Sequence, residues 1–404
     1  MTGSGNADAN EPKRIETIAV HAGERTAPPD YVPTVAPIYA TSAFAQPSAA
    51  DAEAVFADER PGFVYTRYGN PTVAALESLV AELEGGEAAV ATGSGMAAIH
   101  LALLGEVRAG DRIVASRDLY GATFQLLETV FGAFGVRTVY VDTCDLAATE
   151  RALAEHTPRV LLVETISNPL MRVADIPGLA GLARQYRARL LVDSTFASPV
   201  LVNPLRHGAH VVIHSTTKYL SGHGDTTGGI VVSDAMRVWE LRELNKLVGS
   251  LMDPFSAWLT NRGTKTLSLR LRQQCHNAAR VAEWLAGHPA IERVNYPGLA
   301  DLGAAARQFE GEERGTMLSF DIRGAGEREV HRFMDALSVV VPATTLGDVW
   351  SLVLYPAMSS HRAFTAEQRH TLGIGDGLVR LSLGIEHADD LIADLDRALA
   401  AATA

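Results

Sequence analysis

The chain has 404 residues, of which 47% are hydrophobic and 20% are charged, and its formal net charge is −12. This length exceeds what one core holds and suits two domains or one large domain with additions, while the composition is that of an ordinary globular protein. The acidic balance argues against a nucleic-acid partner or an anionic membrane surface, and no apolar run reaches membrane-spanning length, so we expect a small-molecule partner.

The first 64 residues predict little regular structure. The opening MTGSGNADANEPKR lacks the apolar core of a signal peptide and is typical of a disordered tail. Residues 15–64 are rich in proline, which predicts an extended arm that packs against a neighbouring body or another subunit. The chain has only two cysteines, Cys144 and Cys275, expected as free thiols, and this pattern is typical of a cytoplasmic protein.

From residue 65 to about residue 257 the pattern predicts a large α/β domain. Pro71 suits the first turn of a helix that ends at Gly85. Seven apolar runs then predict strands, most of them separated by helical periodicity: Ala88–Ala91, Arg112–Ala115, Arg137–Val141, Val160–Val163, Leu190–Val192, Val211–Ile213 and Ile230–Val232. Buried strands that alternate with helices indicate a mainly parallel sheet, whose ligands bind at the carboxyl ends of the strands.

Residues 258–404 predict a smaller α+β domain. One long helix is predicted over Trp258–Leu285, followed by strands near Gly315–Ile322, Val339–Val341 and Leu378–Leu383. Further helices are predicted at residues 327–337 and 388–402. Few strands, grouped with helices at the end of the chain, favour this second fold class.

Lys218 lies directly after a predicted buried strand, in the segment AHVVIHSTTKYLSGHGDTTGGIVV (209–232), behind three hydroxyl residues. A lysine held out of bulk water near hydroxyls that can bind phosphate can serve as a Schiff-base amine. A solvated lysine in a polar turn is the alternative, so other segments must decide between the two.

The segment ATGSGMAA (91–98) follows the first predicted strand and opens a helix. Its backbone N–H groups would form an anion site at the helix N-terminus. The same letters match the dinucleotide pattern G-x-G-x-x-A, and Asp111 lies 18 residues after Gly93. An NAD-dependent dehydrogenase is therefore an alternative of a different class.

Two predicted strands end in a carboxylate, Glu164 in VETISNP and Asp193 in VDSTFASP. Either acid alone is typical of a capping residue. Two acids at the ligand-binding edge of a parallel sheet indicate a functional site instead. A buried carboxylate needs a cationic partner, and a protonated pyridine nitrogen is one.

Two further residues suit the recognition of a flat, carboxylated ligand. Tyr120 in DLYGATF can stack on a ring, and Arg380 in LVRLSLGIE can clamp a carboxylate, although rim packing and a solvent-facing arginine are the alternatives. No metal is expected, because His214, His223 and His361 lack the spacing of metal ligands. A phosphate, a ring nitrogen, an aldehyde and a carboxylated partner together describe pyridoxal phosphate with an amino acid.

With these motifs the chain resembles the Cys/Met-metabolism family of pyridoxal-phosphate enzymes from about Thr17 to Leu399. The motifs that carry the resemblance stand in the family's order: YTRYGNPT, GSGMAA, LYGATF, ETISNP, VDSTFASP, HSTTKYLSGHGD and VRLSLGIE. The resemblance implies an aspartate-aminotransferase-like large domain (fold type I) with a mainly parallel seven-stranded sheet, a smaller α+β C-terminal domain, and pyridoxal 5'-phosphate as cofactor.

The resemblance also implies roles for individual residues. Lys218 corresponds to the lysine that binds the cofactor covalently, Asp193 to the acid that keeps the pyridine nitrogen protonated, and Tyr120 to the ring-stacking tyrosine. The phosphate-binding positions are Gly95, Met96, Ser215 and Thr217, with Tyr65 and Arg67 reaching the phosphate of a neighbouring subunit. The active site would then need a dimer, and two such dimers would form a homotetramer.

The substrate positions of the family are also matched. Asn168 and Arg380 correspond to residues that contact the α-carboxylate of an amino acid, and Thr345 falls where many members have serine. Val64 and Trp350 stand where members that act on cystathionine tend to carry acids, so the distal pocket is expected to be apolar and to favour a thioether.

The function predicted from the resemblance is α,γ-elimination on a sulfur amino acid, with L-methionine favoured as substrate. Cystathionine γ-lyase, cystathionine γ-synthase and homoserine-ester sulfhydrylase activities use the same scaffold and stay open. A non-catalytic binding protein is a further alternative, which the full set Lys218, Asp193, Tyr120 and Arg380 disfavours.

Overall fold

The computed structural model describes residues 13–23, 33–359, 362 and 365–403. His361, and most of the N-terminal segment expected to be a disordered tail, lie outside the described residues. Within the described part of the chain, no helix is long and apolar enough to cross a membrane.

Residues 88–233 contain a seven-stranded sheet. Its strands are β1 (Ala88–Thr92), β2 (Arg112–Ser116), β3 (Arg137–Val141), β4 (Val160–Glu164), β5 (Arg189–Asp193), β6 (Val211–His214) and β7 (Gly229–Ser233). The spatial order is β1-β7-β6-β5-β4-β2-β3, and β7 runs antiparallel to both of its neighbours. The mainly parallel seven-stranded sheet expected from the sequence is confirmed.

Helices cover both faces of this sheet, since α3 packs on β1, α4 on β6 and β7, and α7 on β5. The α-helices of the described residues are α1 (Ile15–His21), α2 (Ala49–Phe56), α3 (Pro71–Glu84), α4 (Gly95–Glu106), α5 (Gly121–Gln125), α6 (Leu146–His156), α7 (Ile176–Gln185), α8 (Ser198–Leu201), α9 (Ala235–Val248), α10 (Pro254–Thr264), α11 (Leu267–Ala286), α12 (Glu327–Ala336), α13 (Ala366–Thr371) and α14 (Ala388–Thr403). Every residue of β4, β6 and β7 is buried, which explains why the strands are apolar runs without alternation.

A second, five-stranded sheet follows in the C-terminal third of the chain. Its strands are β8 (Ile291–Asn295), β9 (Met317–Ile322), β10 (Val341–Pro342), β11 (Leu352–Leu354) and β12 (Leu378–Ser382), in the order β10-β11-β12-β9-β8. Sequence patterns predicted β9, β10 and β12 but missed β8, which is partly exposed and polar, and β11, which has three residues. This sheet packs with α11 in the smaller α+β unit, while the exact domain boundaries stay a prediction.

The single helix predicted over Trp258–Leu285 was wrong, because α10 and α11 are separate helices. The break lies at Lys265 and Thr266, and the carbonyl of Gly263 there accepts a bond from Arg270 Nη2 at 2.9 Å. Arg270 is buried and donates a second bond to the carbonyl of Tyr219, next to Lys218. The bond from Arg270 to Tyr219 ties this break to the segment of Lys218, and it joins residues 51 positions apart, which a periodicity pattern does not connect.

A buried pair of polar side chains ties α3 to the sheet. Oε1 of Glu84, the last residue of α3, lies 2.6 Å from Nε2 of His214 at the end of β6, and the side chains are 0% and 2% exposed. Removing one partner of such a pair leaves the other buried without a partner. His214 directly precedes Ser215, so the pair anchors the strand that leads to Lys218.

Glu84→Ala is expected to lower the free energy of unfolding by about 3 kcal/mol, because it leaves the imidazole of His214 buried and unpaired. Urea-induced unfolding of the apoprotein measures this change. Glu82→Ala, which removes an exposed carboxylate from the same helix, is the matched control and should change stability by less than about 0.5 kcal/mol. Equal effects of the two substitutions would contradict the anchoring role of the pair.

Candidate active site

A cavity of about 250 Å³ lies at the carboxyl ends of β4, β5 and β6. This is the edge at which parallel strands present ligand-binding side chains. It brings together ten of the residues singled out from the sequence: Gly95, Met96, Tyr120, Glu164, Asn168, Asp193, Ser215, Thr217, Lys218 and Arg380. Residues from both sheets therefore face one space.

Thr345 reaches the cavity residues through a hydrogen bond, whereas four other candidates do not line the cavity of the single chain: Val64, Tyr65, Arg67 and Trp350. The ring of Tyr65 is 41% exposed, and Arg67 donates to the carbonyl of Lys246 at 2.6 Å. The ring of Trp350 packs against Gly224 in the loop after Lys218. The two lie so close that a Cβ added to this glycine would be 3.1 Å from Cζ2 of the Trp350 ring.

The amine of Lys218 is placed by Thr345, whose Oγ1 accepts a bond from Nζ at 2.8 Å. Burial, and then the nearby charge of Arg380, lower the pKa of Lys218 to about 8, while the charge of Asp348 opposes both effects. A neutral amine is the form that attacks an aldehyde or accepts a proton. The site therefore makes this form accessible close to neutral pH.

Arg380, on β12, is 4% exposed and lies beside two neutral acceptors. Its Nη1 donates to Oδ1 of Asn168 at 3.1 Å and its Nη2 to the carbonyl of Thr345 at 3.2 Å. Burial lowers the pKa of Arg380 to about 10. No carboxylate of the described residues forms an ion pair with it, so the guanidinium is available for a carboxylate from a ligand.

Asp193 and Glu164 form the acidic part of the cavity wall. Asp193 accepts a bond from the backbone N–H of Thr195 at 3.0 Å, and burial raises its pKa. Glu164 accepts from the backbone N–H of Tyr120 at 2.5 Å. Across the described residues, neither acid forms an ion pair with a lysine or arginine. The two acids therefore lack a cationic partner, which a protonated ring nitrogen can supply.

The N-terminus of α4, with Gly95, Ser215 and Thr217, forms a part of the cavity wall that suits an anion and is called the anion cradle here. Oγ of Ser94 caps the helix by accepting from the N–H of Ala97 at 3.1 Å. A Cβ on Gly95 would lie 2.7 Å from Cβ of Ser215, so only glycine lets the two segments approach this closely. Oγ1 of Thr217 accepts from the N–H of Gly228 at 3.0 Å and faces the same space. Backbone N–H groups and hydroxyls of this kind bind a phosphate.

These groups fit pyridoxal phosphate. The cradle at Gly95 and Ser215 suits its phosphate, the unpaired acid Asp193 suits its pyridinium nitrogen, and the amine of Lys218 suits its aldehyde. Tyr120 contributes a ring to the wall of the same cavity and is 43% exposed. One chain supplies all of these groups. Only the phosphate contacts that the resemblance implies for Tyr65 and Arg67 would come from a neighbouring subunit.

Several residues that line the cavity were not predicted from the sequence, among them Thr195, Phe196 and Leu346. The strand-end position of Glu164 was a signal for a site, but nothing in the sequence identified its partner. Thr195 could have been found from its position two residues after Asp193, where Asp side chains commonly accept from the backbone.

Comparisons with known proteins identify relatives over nearly the whole chain. The model of the family described as Cys/Met metabolism PLP-dependent enzyme matches residues 16–400. The chain is 43% identical to the L-methionine gamma-lyase of Pseudomonas putida over 371 residues, covering 91% of this chain and 92% of that protein. It is 41% identical to the O-succinylhomoserine sulfhydrylase of Pseudomonas aeruginosa over 402 residues, covering 98% of each.

A solved structure shows the same fold. The cystathionine gamma synthase from Xanthomonas oryzae pv. oryzae in complex with cystathionine matches with a TM-score of 0.91 and 40% identity, covering 97% of this chain and 99% of that one. The predicted fold type I is thereby confirmed. The three relatives carry the names of three different reactions.

The lowered pKa of Lys218 leads to an expected pH dependence in the apoprotein. A small acylating reagent, followed by peptide mass spectrometry, should modify Lys218 with a midpoint near pH 8, because the neutral amine reacts and is populated above its pKa of about 8. An ordinary lysine has its midpoint near pH 10.4. Asp348→Asn should move the midpoint to lower pH, since it removes the negative charge that favours the ammonium form.

The exposed Lys13 serves as an internal reference for the reagent in the same digest. A midpoint for Lys218 at or above pH 10, or an upward shift in Asp348→Asn, would contradict the account of this amine.

Proposed function

Because the chain belongs to the Cys/Met metabolism family of pyridoxal-phosphate-dependent enzymes, we propose that it is a carbon–sulfur lyase that carries out α,γ-elimination on L-methionine. Methionine and water would give methanethiol, 2-oxobutanoate and ammonia. The observation that carries the choice of substrate is the apolar pair Val64 and Trp350, which stands where cystathionine-specific members tend to place acids.

The cofactor of the family is pyridoxal 5'-phosphate, which leaves the dinucleotide interpretation of ATGSGMAA without support. When bound, it supplies an aldehyde that takes up an amine and a ring that withdraws electrons from the substrate's Cα. In the proposed site Lys218 would hold it covalently, Asp193 would pair with its ring nitrogen and Tyr120 would stack on its ring. Its phosphate-binding set is Gly95, Met96, Ser215 and Thr217.

The chain's own residues then bind the amino acid and move its protons. Arg380 and Asn168, joined by a 3.1 Å bond, bind the substrate α-carboxylate and so fix its Cα against the amine of Lys218. Neutral Lys218 removes the proton at Cα, and the Thr345 hydroxyl, 2.8 Å from Nζ, orients the amine. Removal of a proton at Cβ then breaks the bond between Cγ and sulfur, and the hydroxyl of Tyr120 donates a proton to the departing sulfur.

A second candidate function uses the same residues. The similarity to an O-succinylhomoserine sulfhydrylase favours γ-replacement, in which a thiol takes the place of the expelled γ-substituent. Elimination and replacement share the early proton transfers at Cα and Cβ, so both agree with the geometry of Lys218 and Tyr120. Cystathionine γ-lyase and cystathionine γ-synthase activities stay open for the same reason.

The proposal includes a homotetramer built from dimers that share active sites, and it keeps the expected cytoplasmic location as a prediction. The support for shared sites is the position of Tyr65 and Arg67. Tyr65 is 41% exposed, and the guanidinium of Arg67 lies 5.5 Å from its ring centroid, outside the cavity of their own chain. This position outside their own cavity supports a role for the pair at the phosphate cradle of a neighbour.

The substrate assignment is tested by kcat/KM for methionine and for cystathionine. The wild type should prefer methionine by roughly tenfold to a hundredfold, because an apolar wall leaves the distal ammonium of cystathionine imperfectly paired at a cost of about 1–3 kcal/mol. Trp350→Glu should narrow or reverse this preference, mainly by raising kcat/KM for cystathionine, because the glutamate supplies an anion for its distal ammonium. Trp350→Phe, which keeps an uncharged ring at the same position, is the control and should keep the preference.

A wild type that cleaves cystathionine faster than methionine would move the assignment to the cystathionine lyases. Turnover of an acylated homoserine only in the presence of added thiol would favour the γ-replacement candidate instead.

The shared active site is tested by mixing two inactive variants. Arg67→Ala and Lys218→Ala subunits should together recover part of the activity, because one of the two sites in a mixed dimer then keeps both residues. Each parent must first be inactive, and subunit exchange must be shown by differently tagged chains. Exchange without any recovery would show that the contacts of Arg67 lie within one chain.

A further inference from the structure

Glu164 and Asp193 are paired neighbours at the ends of two parallel strands. The register of β4 and β5 places Glu164 opposite Asp193, and both side chains line the cavity. Paired positions on adjacent strands point to the same face of a sheet, so the two carboxyl groups share one environment. Two carboxylates in such a site rarely ionise together, because each disfavours the charge of the other.

The surroundings of the two acids differ. Burial raises the pKa of Asp193, but the bond that it accepts from the N–H of Thr195 opposes this effect and favours its anionic form. Glu164 is 8% exposed, and its one hydrogen bond among the described residues comes from the N–H of Tyr120. Burial, and then the negative charge of Asp193, raise the pKa of Glu164 well above its ordinary value. Asp193 is therefore the acid that carries the charge.

We propose that Glu164 is a positioning residue that acts as a neutral carboxylic acid, holding the backbone amide of Tyr120 while Asp193 remains the only anion beside the ring nitrogen. The proposal rests on the proposed use of this cavity for pyridoxal phosphate. Oε1 accepts from the N–H of Tyr120 at 2.5 Å, which leaves Oε2 to carry the proton. The bond fixes the residue that precedes α5, and thereby the direction in which the Tyr120 side chain leaves the backbone.

The neutral form of Glu164 has a chemical consequence for the site. A second anion next to Asp193 would strengthen the hold of the ring nitrogen on its proton and attract the ammonium form of Lys218. A neutral Glu164 provides the same hydrogen-bond acceptor without that charge. The titratable groups that share its cavity or act on it electrostatically are Asp118, Tyr120, Asp193, Lys218 and Arg380.

The test compares Glu164→Gln, which is neutral and keeps a carbonyl acceptor for Tyr120, with Glu164→Ala, which removes it. The first readout is the thermal unfolding temperature of each apoprotein between pH 5 and pH 8. Wild-type Glu164 has a raised pKa in the folded state, so the protein takes up a proton on folding in this range and loses stability as the pH rises. Glutamine needs no proton, so the unfolding temperature of Glu164→Gln relative to wild type should increase with pH.

The second readout uses the holoenzyme with whichever amino-acid substrate it turns over. Glu164→Gln should keep the pH midpoints of kcat/KM and of the visible absorbance, and should exceed Glu164→Ala at least tenfold in kcat/KM. Glu164→Ala should also change the visible circular dichroism of the cofactor, because the Tyr120 ring is no longer held in place.

Three outcomes would overturn the proposal. An unfolding temperature of Glu164→Gln that falls relative to wild type as the pH rises would show that Glu164 is an anion. Shifted pH midpoints in Glu164→Gln would show the same for the holoenzyme. Equal kcat/KM and dichroism in Glu164→Ala and wild type would show that the bond to Tyr120 positions nothing. The apoprotein readout needs neither cofactor nor substrate, so it separates failure of this inference from failure of the proposed function.

Discussion

Burial of ionisable side chains at the carboxyl edge of the seven-stranded sheet is the constraint on which the rest of the site depends. Lys218, Arg380, Asp193 and Glu164 line one cavity of about 250 Å³. Burial disfavours the charged form of each, so the pKa values of the bases fall and those of the acids rise. A cofactor with a phosphate, an aldehyde and a ring nitrogen, together with an amino-acid carboxylate, supplies partners for these groups.

The fold brings segments that are distant in sequence to the carboxyl edge of the seven-stranded sheet, where these side chains are buried. Thr345, 127 positions along the chain from Lys218, orients its amine, and Asn168 contacts Arg380 across 212 positions. The second sheet is thus part of the site, since β12 carries Arg380. Trp350 follows Thr345 in the same segment and lies against the loop after Lys218. In the proposed function, substrate selection by Trp350 is in this way coupled to the segment that orients the amine.

Much of this arrangement could be predicted from the sequence. Buried strands flanked by helices leave apolar runs, so all seven strands of the larger sheet were predicted, and the carboxyl-edge rule placed Asp193 and Lys218 together. The break between α10 and α11 was not predicted, because helical periodicity continues through it, and the bond that Arg270 makes there to Tyr219 joins residues distant in sequence. Likewise the partner of Glu164 is a backbone N–H 44 residues away, which no local pattern indicates. The resemblance implies that Tyr65 and Arg67 act in the site of a neighbouring subunit, and the structure of one chain leaves both residues outside its own cavity.

The central claim is that Lys218 is the residue that binds pyridoxal phosphate. The holoenzyme can be reduced with borohydride, which makes the bond between cofactor and lysine permanent, and then digested for peptide mass spectrometry. The chain has four lysines, Lys13, Lys218, Lys246 and Lys265, so the assignment is unambiguous. The account predicts one stoichiometric adduct on the peptide that contains Lys218. An adduct on one of the other three lysines, with the Lys218 peptide unmodified, would contradict it.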